Sequence, residues 1–194
     1  MKKNIFVFIA FLLCSGGCYS QSLKSIVPTP GFSDALGKIV LDFRFGYHTI
    51  QVDSLYTPQN GYEEYGSSII LPGSTDNEIL RFHSVEDTTA SFQSTFYQGD
   101  DYNEAVKSYK SCIHLLKKSL FKWFDKTIVS FGGKEEEPDP NLSFASTTLR
   151  VTNIEDKRYK NFCAEVEMAG DVNGWKVHIN FEVKNLDTDG TSDN

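Results

Sequence analysis

Residues 161–184 read as two strands folded back on each other about Asn173-Gly174. That dipeptide suits a type I′ turn, whose two central residues both need positive φ, a conformation Asn tolerates and Gly adopts without strain. Setting Val172 opposite Trp175 pairs Met168 with Ile179, Val166 with Phe181 and Ala164 with Val183. Apolar then meets apolar at every second rung, and a one-residue slip would break all of these pairs. A chain with this hairpin is committed to antiparallel sheet with one buried face, and other elements must cover that face.

Two segments are patterned to do so. Over 32–47 the residues Phe32, Leu36, Ile39, Val40, Phe43 and Tyr47 form a one-sided stripe at helical spacing, with Ser33 or Asp34 as its cap. Asp101 and Glu104 form a capping-box arrangement that opens a second helix, its buried stripe being Tyr102, Ala105, Val106, Tyr109, Ile113, Leu116 and Leu120. Strand patterns occupy 67–71, 78–84 and 89–98 after the first helix, and 143–152, 161–169 and 175–184 after the second. In the third of these, Ala90, Phe92 and Phe96 fall on one face and Gln93, Thr95 and Tyr97 on the other. An acidic turn at Glu86-Asp87-Thr88 joins the second and third strands. Segments 53–66 and 132–141 read as loops, whereas 123–131 fits a helical continuation and a short strand equally. The spacing therefore predicts an α+β fold, two helices packed on a mostly antiparallel sheet. Its element order suggests a tandem α-β-β-β duplication with halves 31–99 and 100–186.

The chain opens on an address. Lys2 and Lys3 precede an uncharged apolar stretch at 5–13, and the small residues Ser15, Gly16, Gly17 and Ser20 follow, the layout of a secretory signal peptide. Cleavage after Ser20 leaves one domain over 21–186 and an acidic tail over 187–194. A bilayer needs ~20 apolar residues, so no transmembrane segment is expected after cleavage, and the protein is expected to be periplasmic or secreted. Lipoprotein anchoring through Cys14 or Cys18 is the alternative, but Cys18 lacks the large apolar residue three places before it and Cys14 directly follows Leu13. An oxidising compartment makes Cys112 and Cys163 a disulfide candidate, worth ~4 kcal/mol on a chain-entropy model. Against the pairing, Cys112 faces inward while Cys163 alternates outward. The net charge of −7 argues against nucleic acid as a partner, because the long-range field repels phosphate.

No residues stand in a catalytic, metal or cofactor spacing. His48, His83, His114 and His178 are scattered, no Gly-x-Ser-x-Gly elbow or phosphate loop occurs, and Ser119-Leu-Phe-Lys122 is a weak motif at a helix end. The tail Asp187-Thr-Asp-Gly lacks the later ligand that a calcium loop requires. On the outer face of the hairpin, Glu165 is expected opposite Glu182, with Glu167 and His178 nearby and Lys176 and Lys184 to offset the charge. Two surfaces carry the partner-binding expectation. One is the segment with Tyr56, Tyr62 and Tyr65, since tyrosines favour recognition surfaces; the other is a basic stripe on the second helix containing Lys107, Lys110 and Lys118, with His114 and Lys117. The chain thus reads as an exported, non-enzymatic binding or envelope-associated module. An exported hydrolase with a carboxylate and histidine site assembled in space, or a carrier of a small apolar ligand, is the competing class.

Overall fold

Thr29, and not Ser33 or Asp34, caps the first helix. In the computed structural model, which describes residues 27–56, 62–82 and 89–184, the Thr29 hydroxyl accepts from Phe32 N at 3.2 Å. Pro30 supplies a preset φ at the first helical position, where its missing N–H is one of the unpaired donors anyway. Helix α1 (Pro30–Asp42) ends before the expected 32–47 stripe does: the chain tightens into a 3-10 turn at Phe43–Phe45 and stops at Gly46. The buried Tyr47 belongs to the core without belonging to the helix, and its hydroxyl donates to Phe181 O at 2.9 Å.

Strands β1 (Gln51–Tyr56) and β2 (Tyr62–Ser67) occupy most of the segment expected to be a loop. Pro58 and Asn60-Gly61 fall on the connection between them, outside the described residues. Those breakers punctuate a strand pair instead of excluding one. Residues 68–71, by contrast, do not form the expected strand, because the Ser67 hydroxyl donates to Ile69 O at 2.9 Å and accepts from Ile69 N at 3.0 Å. Such local bonds compete with a ladder. Strands β3 (Asp76–Phe82) and β4 (Ala90–Gly99) follow, and the expected turn at Glu86-Asp87-Thr88 lies outside the described residues.

Helix α2 (Tyr102–Lys118) starts where its cap predicts, with Asp101 Oδ1 accepting from Asn103 N at 2.8 Å and Glu104 N at 3.2 Å. Ala105, Tyr109, Ile113 and Leu116 are buried as expected, joined by Cys112. Ser119 then ends the helix by donating both its N–H and its hydroxyl to Leu115 O, which leaves Leu120 61% exposed instead of in the core. Residues 121–129 form a two-stranded ribbon, β5 (Phe121–Lys122) and β6 (Ile128–Val129). Strands β7 (Phe131–Gly132), β8 (Phe144–Val151), β9 (Phe162–Asp171) and β10 (Gly174–Val183) complete the chain.

The two helices lie against a single eight-stranded antiparallel sheet of order β1-β2-β3-β4-β10-β9-β8-β7. Each half thus contributes four strands to this sheet, where the sequence pattern suggested three, and the second half adds the separate β5–β6 ribbon. The two meanders join through their last strands, β4 and β10. Along the helix-covered face run Ile79, Phe92, Phe181, Ala164 and Leu149, which merge with the α1 and α2 stripes into one core. No helix among the described residues is long and apolar enough to cross a membrane. The segment expected to be a signal peptide, with Cys14 and Cys18, and the acidic tail over 187–194 lie outside the described residues.

Within the β9–β10 hairpin, every expected face is right and every expected pair is displaced by two residues. Val166 pairs with Ile179, Ala164 with Phe181 and Met168 with Val177. The cause is the turn: Asp171 Oδ1 accepts from Asn173 N at 2.7 Å, so Val172 and Asn173 become the central residues. Only Gly174 takes positive φ (108°), at the residue that closes the turn against Asp171. A second departure is a bulge between β4 and β10. His178 pairs with Thr95 but Val177 with Tyr97, leaving Phe96 as the extra residue and turning Tyr97 to the helix side, opposite to its expected face.

A Cβ at Gly174 would sit 2.7 Å from both Gly99 O and Asp100 Oδ1. Gly174→Ala therefore combines strained φ with a clash against β4. It should cost about 1–3 kcal/mol, read as a lower urea midpoint at unchanged slope.

Candidate functional site

The face of the sheet turned away from the helices carries two rows of polar side chains that cross from one half to the other. Alternation along β10 puts Lys176, His178, Asn180 and Glu182 on this side. Pairing then aligns Glu78, Gln93, Asn180, Glu165 and Thr148 in one rung, and Asp76, Thr95, His178, Glu167 and Ser146 in the next. The side chains bond along these rows. Glu167 Oε2 lies 2.6 Å from His178 Nε2 and accepts from Asn180 Nδ2 at 2.8 Å. Asn180 Oδ1 accepts from Gln93 Nε2 at 2.7 Å, and Gln93 Oε1 from Lys176 Nζ at 3.4 Å. Among the described residues, the buried His178 Nδ1 has no hydrogen-bond partner.

Glu165 is the most enclosed carboxylate of the face, its side chain only 6% exposed. Burial works against its ionisation, but hydrogen bonds from Lys184, Ser146 and Glu182 outweigh that and hold its carboxyl below the usual range. Lys184 Nζ is 2.7 Å from Glu165 Oε1, and the Ser146 hydroxyl donates to the same oxygen. Glu182 lies opposite Cys163, so it is diagonal to Glu165 and not opposite it as expected, a direct result of the two-residue displacement in the hairpin. Burial first, and then its hydrogen bond to Glu165, push the Glu182 carboxyl up to about 7. A second pair, Glu64 and Glu78, stands in the same diagonal relation on β2 and β3, and burial with the Glu64 contact raises Glu78 to about 7. The sequence pattern gave no hint of this pair, because β2 lay inside an expected loop.

The expected binding residues are dispersed. Tyr56 ends β1 opposite Glu64, whereas Tyr62 and Tyr65 lie on opposite faces of β2. Tyr62 is on the open face with its ring 6.1 Å from that of Phe82; Tyr65 is half-buried on the helix side and donates to Glu63 Oε2 at 2.7 Å. The α2 lysines form no free cationic stripe. Lys107 pairs with Glu104 at 2.7 Å, Lys110 with Glu137 at 2.5 Å and Lys117 with Glu135 at 2.6 Å, so the acidic loop over 132–141 neutralises much of the helix face. Lys118 and His114 line a shallow groove of about 610 Å³ beside Pro30 and Asp34.

Cys112 and Cys163 are unbonded buried thiols, one under α2 and the other on the open face beside Glu182, with the sheet between them. Burial raises both, Cys163 to about 12, so neither is poised as a thiolate. His48 lies 3.2 Å from Arg81 Nη2, and His83 is outside the described residues. Among the described residues no three His, Cys, Asp or Glu side chains are grouped to hold a metal ion. The chain matches no family model, no curated protein and no solved structure.

Removing the cation beside Glu165 has a signed consequence. Lys184→Met leaves an enclosed carboxylate with less compensation and should cost about 1–2 kcal/mol at pH 7, below the figure for a fully buried pair because Lys184 is partly exposed. A depressed carboxyl stabilises the fold above its unfolded pKa and loses that contribution as pH falls through its folded pKa. Urea titrations of both proteins should accordingly show the difference shrinking as pH drops below 4.5.

Proposed function

We propose that this chain is an exported binding module that engages a protein or envelope component through the open face of its sheet, with no catalytic step of its own. One observation carries the reading: both helices cover the same side of an eight-stranded sheet, so the opposite side presents a broad surface built from both halves. Its centre is a fixed polar network, and aromatic residues stand at its flanks, Tyr62 and Phe82 over β2 and β3 and the half-exposed Phe144 on β8. Rigid aromatic anchors around polar groups held in place by their neighbours are the composition of a recognition surface. The export signal and acidic charge favour an extracytoplasmic protein partner over nucleic acid.

The hydrolase reading draws support from one feature, the contact of Glu167 with His178 beside the Glu165 and Glu182 pair. These groups are bonded mainly to one another along a sheet face, whereas an acid and base at work must converge on a substrate.

Comparing variants in capture from an envelope extract separates the surfaces. Tyr62→Ala with Phe144→Ala should weaken retention of the specific partner more than tenfold, about 1.4 kcal/mol, with little change in melting temperature. Lys107→Ala, Lys110→Ala and Lys118→Ala together should change it less than threefold. The opposite ranking would move the binding surface to α2.

A further inference from the structure

We infer that the open face is a proton-responsive surface, in which Glu64 with Glu78 and Glu165 with Glu182 each share one proton, so that the face gains negative charge as pH rises through neutrality. The placement comes from strand register. Glu64 lies opposite Leu80 and Glu78 opposite Gly66, so the two carboxyl groups are diagonal neighbours on adjacent strands and on one face. Glu165 lies opposite Asn180 and Glu182 opposite Cys163, which repeats the arrangement in the other half. Long side chains at diagonal positions reach each other. At about 4 Å and an effective dielectric of 20, two carboxylates repel by about 4 kcal/mol, enough to keep one member of a half-buried pair protonated near neutral pH.

The surrounding charges do not undo this. Around Glu182 stand Glu165 and Glu167 from β9 and Lys184 from its own strand, with the Cys163 thiol opposite it and Arg150 from β8 beyond. Lys184 is bonded to Glu165, which favours ionisation of that member and leaves the proton on Glu182. Around Glu78 stand Glu64 from β2, Asp76 from its own strand and Lys176 from β10, whose ammonium is bonded to Gln93. Both raised carboxyls thus flank the β4–β10 junction, one on each side, and titrate over the same interval. The device regulates the face that Proposed function assigns to docking, and its physiological meaning rests on that reading.

Two measurements on the full chain keep the claims apart. Carboxyl-carbon NMR from pH 3 to pH 9 should show two glutamates with midpoints between about 6 and 8, lost singly in Glu78→Gln and Glu182→Gln. A carboxyl whose folded pKa is raised contributes stability below its unfolded value and loses it as pH climbs to the folded one. The double variant should therefore match the native chain's Tm at pH 4, below the unfolded value of 4.5, and exceed it at pH 8. Midpoints of 4 to 5 for both glutamates would overturn the inference and leave the docking reading untouched. Midpoints near 7, with partner capture indifferent to open-face substitutions, would uphold it and sink the docking reading instead.

Discussion

The pairing of β4 with β10 is the contact on which the rest of the molecule depends. It is where the two four-stranded meanders become one sheet, and it sets Phe92 against Phe181 on the core side, ring centroids 6.1 Å apart. Helix α2 straddles the junction, touching β4, β10 and β9, so its apolar stripe is buried only if the two halves are joined. Two buried tyrosines tie the halves again. Tyr47 in the first half donates to Phe181 O in the second, and Tyr159 in the second donates to Val40 O in the first at 3.0 Å. Each satisfies a polar group that would be costly to bury alone. Parting β4 from β10 would expose two long strand edges and unseat both hydroxyls together.

The same junction creates the candidate site. Gln93 and Asn180 bond across it and Asn180 bonds Glu167 in turn, while register sets Glu78 of β3 on the same rung as Gln93 and Asn180, so that the carboxylates of β3 and those of β9 share one face. An open sheet face could have been merely solvated, with alternating side chains in water. Here the Arg150 guanidinium donates to Phe162 O and Lys184 O and the Lys184 ammonium bonds Glu165, while Cys163 and Glu165 are buried on the same face. Ionisable groups are thereby held in fixed geometry at a surface no helix covers.

Much of this was legible in the sequence, and the failures have local causes. Helix α2 was readable because Asp101, the lysines of its last turn and the 3.6-residue stripe all agree; only Leu120 was misplaced, since the bonds of Ser119 to Leu115 O end the helix at Lys118. The faces of β9 and β10 followed from alternation, which depends on parity alone and survives a two-residue displacement. Strands β1 and β2 were missed because proline and glycine at their connection outweighed the weak alternation of a segment rich in Glu and Tyr. With β2 went the Glu64 and Glu78 pair, which exists only through register between strands, a relation that no single-strand pattern contains. The lysine stripe on α2 was visible in the sequence, but its neutralisation by Glu135 and Glu137 was not, because that loop returns to the helix only in three dimensions.

The hairpin turn shows how far a local choice reaches. Had Asn173 and Gly174 been the central pair, Glu165 would face Glu182 directly and the two charges would be opposed at a single rung, an unfavourable arrangement. The Asp171 carboxylate instead binds Asn173 N and moves the turn back by one residue, which slides β10 two residues along β9. Asn180 now occupies the rung opposite Glu165, and its amide nitrogen is free to bond Glu167 while its oxygen takes Gln93. Glu182 is displaced to the diagonal, near enough to hydrogen-bond Glu165 but only if one of the two keeps a proton. A single side chain at the tip of the hairpin thus decides both the continuity of the polar row and the charge it carries.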